Sequence, residues 1–155
     1  MMIMWTIIFL VVDIISKILI SNLMSVGQSF QIVRNFFNIT YVRNAGAAWS
    51  ILSGKTWLLI IVSLIIISLI VFYIYKNKPK SNIEKISYSM ILGGAIGNLL
   101  DRIIYGYVVD FLDFNIFGYD YPIFNLADTF ICVSVGLLII EFIRGDLSGN
   151  SVKDK

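Results

Sequence analysis

The 155-residue chain contains no histidine. That absence excludes a Ser-His-Asp or Cys-His catalytic unit and an H-E-x-x-H zinc site. One cysteine, Cys132, cannot close an intrachain disulfide. It sits in an apolar run with no base nearby to make a thiolate, so it reads as buried filler and not as a nucleophile. Charge is scarce as well: 14% of residues are charged and 58% are hydrophobic, with mean hydropathy +0.86. A soluble domain is about a quarter charged, so this composition points to lipid as the main solvent and to a single compact domain over residues 1–155. The net charge of +2, without a basic run interleaved with aromatics, argues against nucleic acid as a partner. The apolar start lacks a basic n-region and an A-x-A-like cleavage site, so it reads as a retained first helix.

Four apolar stretches are present, at residues 3–20, 56–75, 86–104 and 126–143. Each is close to the ~20 residues that span a hydrocarbon core of ~30 Å. Backbone amides in lipid must be satisfied within the segment, and runs this continuously apolar lack the alternation of a barrel. The fold class expected is therefore an all-α polytopic membrane protein, a four-transmembrane-helix bundle. Lys76, Lys78, Lys80 and Lys85 lie between the second and third helices. Residues 105–124 have no Lys or Arg but carry Asp110, Asp113 and Asp120. The positive-inside rule puts the lysine loop and both termini in the cytoplasm, with a tail over residues 145–155. Trp57, Tyr73 and Tyr75 fall where aromatic belts form. Residues 21–55 are then extracytoplasmic. The stretch FQIVRNFFNITYVRN is rich in β-branched and aromatic residues and predicts a small β-sheet at the membrane surface.

With that topology the ionisable residues of the helices gather at the outer end, and each needs a reason to be in lipid. Asp13 and Lys17 have the i, i+4 spacing of a helical ion pair, which by itself can be purely structural. Asn98, Asp101 and Arg102 share one face of the third helix. Gly93 and Gly97 form a G-x-x-x-G contact there, turning that face into the bundle as a structural network or a site. Asn125 and Asp128 have capping-box spacing, so capping is a complete explanation on periodicity alone. Asp110 has Asp113 as a competing local partner at i, i+3. Glu141 and Arg144 form a separate structural pair at the other end of the fourth helix.

Three stretches together resemble the signature blocks of lipoprotein signal peptidase (signal peptidase II): VRNAGAAWS at 42–50, GAIGNLLDRIIYGYVVDF at 94–111, and FNLAD at 124–128. Chain length, helix spacing and the Asp13/Lys17 pair match too. The resemblance implies an aspartyl endopeptidase of the bacterial cytoplasmic membrane, without cofactor or metal. It would remove signal peptides from prolipoproteins, cutting before the diacylglyceryl-modified cysteine, and be inhibited by globomycin-type cyclic peptides. Carried over by position, Asp110 and Asp128 are the catalytic pair. Asn44, Gly46, Asn98, Arg102 and Asn125 line the substrate site, and Asp13, Lys17 and Asp101 support it. Two carboxylates that share one proton suit peptide hydrolysis without histidine or metal. Gly106 would let the chain turn and bring Asp110 back towards Asp128. Rival readings are a small proton-coupled transporter using buried aspartates, a non-catalytic scaffold, and a serine/lysine peptidase using Ser16 or Ser50 with Lys17.

Overall fold

The structure, a computed structural model, describes residues 1–47 and 51–150. Ala48, Trp49 and Ser50, at the end of the first signature stretch, lie outside the described residues, as does the end of the tail from 151. Four long helices carry a small antiparallel sheet at one end. They are α1 (Met2–Leu23), α2 (Thr56–Asn77), α3 (Asn82–Tyr105) and α4 (Leu126–Asn150). The strands are β1 (Ser29–Val33), β2 (Phe37–Asn44), β3 (Val108–Ile116) and β4 (Tyr119–Asp120), in the order β1-β2-β3-β4.

The helices are polar inside and apolar outside. Asp13 and Lys17 are the buried residues of α1, while Ile3, Ile7 and Ile15 of the same helix are exposed. Helix α2 buries Leu59, half-buries Leu58, Ile60, Ile67, Ile70 and Ile74, and exposes most of its remaining apolar residues. In water this arrangement would expose a large apolar surface, whereas in lipid that surface is already in its preferred solvent. Among the described residues, three helices are long and apolar enough to cross a membrane: α1, α2 and the Leu126–Arg144 part of α4. Cys132 follows the same rule: it is exposed on α4 and not buried, because an apolar run in lipid has no need to turn inward.

Helix α3 is the most polar and packs against α1, α2 and α4. It begins earlier than the apolar run suggests. Ser81 accepts from the Glu84 amide at 3.0 Å, and Glu84 accepts from the Ser81 amide at 3.2 Å. This capping box draws residues 82–85, expected in the lysine loop, into the first turn. Its small residues let the backbones meet. A Cβ at Gly93 would lie 2.8 Å from Phe9 Cβ, one at Gly94 would lie 2.6 Å from the Ala127 carbonyl oxygen, and one at Gly97 would strike the Asp13 carboxylate. The G-x-x-x-G reading thus holds, with α1 as the partner. Gly106 ends α3 at φ +78, the turn anticipated there.

Sequence periodicity placed the sheet within residues 21–55, but half of its strands come from the segment between α3 and α4. Alternating residues of β3 suit a strand. Its partner β2 lies two helices earlier in the chain, so no local pattern announces the pairing. Asp110 is registered against Val42, and Asp113 against Asn38. Met24, Tyr41, Val109 and Phe111 form a core that seats the sheet on the end of α1.

Glycine contacts give the fold its test. Gly94→Ala and Gly97→Ala should each lower the melting temperature in detergent by an amount equivalent to at least about 1 kcal/mol, as overpacking does. Gly136→Ala, where an added Cβ meets nothing within 4 Å, should leave it unchanged.

Candidate active site

The polar residues of α1, α3 and α4 meet where the sheet joins the bundle. Lys17, 3% exposed, places its ammonium 2.7 Å from Asp13, 3.2 Å from Asp101 and 2.8 Å from Asn98 Oδ1. An ammonium has three protons, and here it has three acceptors. Both carboxylates also anchor backbone. Asp13 Oδ1 accepts from the Ala127 amide at 3.0 Å, and Asp101 Oδ2 from the Val109 amide at 3.2 Å. The cluster therefore ties the start of α4 and the start of β3 to the bundle.

Asn125 and Asp128 do form the capping box that their spacing suggests. Asn125 Oδ1 accepts from the Asp128 amide at 3.0 Å, and Asp128 Oδ2 from the Asn125 amide at 3.3 Å. Capping leaves the Asn125 Nδ2 group free for other partners. It donates to Asp110 Oδ1 at 2.7 Å and to Asn98 Oδ1 at 3.1 Å. Asn98 in turn donates to Asp128 Oδ1 at 2.8 Å. Asn125 thus contacts both aspartates that the family resemblance pairs, one through its cap and one through its amide. The cap and the site are one structure.

Asp110 arrives on β3 and not on a turn. Alternate residues Val108, Asp110, Phe114 and Ile116 line a cleft of about 880 Å³ between the sheet and α2, α3 and α4. Asp128, Asn98, Asn44 and Arg102 line the same cleft. Asn44 donates to Asp110 Oδ2 at 2.9 Å and accepts from the Gly46 amide at 2.9 Å. Arg102 donates to the Gly46 carbonyl and to the Asn98 carbonyl, each at 3.3 Å. All ten residues singled out in the sequence are therefore brought together. Asp113 is not among them, since odd positions of β3 face away from the cleft. Its carboxylate accepts from Thr40 at 2.6 Å and from Asn38 at 3.4 Å. Ser16 bonds the Asp13 carbonyl at 2.7 Å, and Ser50 lies outside the described residues.

Sequence reading missed the wall of this cleft: Phe36, Phe114, Tyr121 and Phe124 above, with Ile131 and Cys132 of α4 below. The period-2 pattern of β3 was the available signal for Phe114 and Ile116. Thr129, one residue past Asp128, also borders the cleft and bonds the Asn125 carbonyl at 3.0 Å.

Burial pushes the Asp110 carboxyl up to about 7, and the neighbouring Asp128 adds to the rise, against the donors Asn44 and Asn125 that lower it. Asp110 therefore keeps its proton nearly to neutrality.

The signal peptidase (SPase) II family profile matches residues 5–144. This chain belongs to the signal peptidase II family. Lipoprotein signal peptidases of Staphylococcus aureus strains JH9 and Newman are each 42% identical to it over 142 residues, 92% of this chain and 86% of theirs. A bacterial membrane enzyme solved by the in meso method at 2.3 Å resolution superposes with a TM-score of 0.85 at 40% identity, over 92% of this chain and 87% of that one. A second such enzyme, solved at 1.9 Å, gives 0.82 at 40% identity, over 91% of each chain. As a signal peptidase II family member the chain is an aspartic peptidase.

The proton on Asp110 can be observed directly. Its carboxyl band in the infrared should titrate with a midpoint near 7. In Asp128→Asn the midpoint should fall, because the neighbouring negative charge that disfavours ionisation is gone.

Proposed function

We propose that this chain is an intramembrane endopeptidase in which Asp110 and Asp128 hydrolyse the prolipoprotein bond just before the diacylglyceryl-modified cysteine. The observation that carries the reading is the bridge of Asn125 between the two carboxylates inside a cleft that is otherwise largely apolar. In the mechanism one member of the pair is ionised and takes a proton from water. The water attacks the scissile carbonyl, and the protonated member donates a hydrogen bond to that oxygen. The proton taken from water then passes to the departing amine, so the pair is regenerated without a covalent intermediate or a metal. Asn44, Asn98 and Asn125 hold the carboxylates in place. Arg102 and the Gly46 backbone border the path of the peptide. The apolar wall of Ile66, Ile91 and Ile131 suits the signal helix and the lipid of the substrate. Cyclic peptides of the globomycin type would compete for the same cleft.

We also read α3 as a fourth membrane-spanning helix in a single domain over residues 1–155. Its 24 residues measure roughly 36 Å, at ~1.5 Å per residue. Packing against α1, α2 and α4 explains why it can be less apolar than they are. Lys76, Lys78, Lys80 and Lys85 at the end remote from the sheet support cytoplasmic termini and a sheet on the outer surface of the bacterial cytoplasmic membrane. A transporter has no support in the site: the acids gather at the sheet end, and α2 contributes none of them.

In a cleavage assay on a lipidated precursor, Asp110→Asn and Asp128→Asn should each lose at least roughly a hundredfold in rate, the scale of acid–base catalysis. Asp113→Asn and Asp120→Asn should stay active, and chelators should have no effect. Normal cleavage by either of the first two variants removes the assignment. Lys78→Cys should be protected from an impermeant thiol reagent added outside the cell, and its labelling would reverse the topology.

A further inference from the structure

We propose that Lys17 is a positioning residue for the carboxylate pair, acting through the Asn98 carboxamide to keep an N–H donor aimed at Asp128. This rests on the reading of Asp110 and Asp128 as the catalytic pair. The two ends of a primary amide have nearly the same shape but opposite roles. Asn98 Oδ1 is met by Lys17 Nζ at 2.8 Å and by Asn125 Nδ2 at 3.1 Å, while Asn98 Nδ2 donates to Asp128 Oδ1 at 2.8 Å. Turned through half a revolution, the amide would set its NH₂ against an ammonium and another NH₂, and its oxygen against a carboxylate. Three hydrogen bonds would become three repulsions. Of the partners that fix this choice, Lys17 alone is a cation that cannot accept in any orientation.

Lys17 makes no hydrogen bond to either carboxylate of the pair. Its ammonium donates to Asn98 and forms ion pairs with Asp13 and Asp101. The charged groups around it are Asp13 on its own helix, Asp101 and Arg102 on α3, Asp128 on α4 and Asp110 on β3. Helix α2 carries no Asp, Glu, Lys or Arg before Lys76, and Arg43 of β2 stacks on Tyr107 at 4.8 Å, away from the cleft. Lys17 therefore has one hydrogen-bonded route to Asp128, through the Asn98 amide, beside the through-space attraction of its charge.

Replacing Lys17 by Met would release the amide to turn, so Asp128 would lose its donor for part of the time. Ionisation of the pair would then be less favoured, and the acid limb of the pH profile for kcat/KM should move up by on the order of one pH unit. A role confined to holding the helices together would lower the rate at every pH without moving the limb. Because Lys17→Met leaves two carboxylates without their cation, Asp13→Asn/Lys17→Met carries the same test with one fewer orphaned charge. The deciding comparison is Lys17→Met in an Asn98→Ala background. If Lys17 works through Asn98, its shift should be markedly smaller there, since only the direct attraction of its charge remains. Variants too slow to assay can be followed through the infrared titration of their carboxyl bands. An unmoved acid limb, or a shift that persists undiminished without Asn98, overturns the proposal. Asp110→Asn and Asp128→Asn measured alongside separate the two layers. If both are inactive and the limb is unmoved, only the role of Lys17 falls. If either cleaves normally, the pair falls and this proposal with it.

Discussion

The buried ammonium of Lys17 is the contact on which the rest of the structure depends. Two buried carboxylates without a cation would repel each other in a low-dielectric interior, and a lone ammonium there would be costly to desolvate. Together their charges offset one another, and each carboxylate also accepts a backbone amide at the head of another element. Removing one partner of such a cluster costs about 3–5 kcal/mol, because what remains is an uncompensated charge. The cluster is better understood as setting the register of α1, α3, α4 and β3 than as the main source of their stability.

Lipid makes that arrangement necessary. Helices with apolar outer faces gain little hydrophobic free energy from packing on one another, so close backbone approach and polar contacts decide how they pair. Gly93, Gly94 and Gly97 provide the approach, and Asp13, Lys17, Asn98 and Asp101 provide the polar contacts. The same residues that hold the bundle together carry the carboxamide chain up to Asp128. Structure and site are continuous, with Asn98 and Asn125 as the connecting amides.

The sheet supplies what the helices cannot. A strand lets Asp110 project into the cleft while Val109, on its other face, packs on the end of α1. Asn44 on the neighbouring strand reaches the same carboxylate. Phe114 and Phe124, which line the cleft, stack on each other at 5.7 Å, and Phe37 of β2 stacks on Phe114 at 4.6 Å. Asp110 and Asp128 are thereby partly removed from water, which the proposed sharing of a proton requires.

Hydropathy alone determined the positions of four helices, since length and apolarity are local properties of the chain. The glycine contact at Gly93 and Gly97, the turn at Gly106 and the cap formed by Asn125 and Asp128 were legible for the same reason: each depends on residues within a few positions. The role of Asp128 was not decided by that spacing, because capping explains it fully, and only its resemblance to a known motif singled it out. Tertiary structure decided that β3 exists, that it pairs with a strand two helices earlier, and that Asp110 and not Asp113 faces Asp128's cleft. Strand pairing is a contact between distant segments, and the alternation that selects one aspartate over another acquires a direction only when one face of the strand has a partner to cover it.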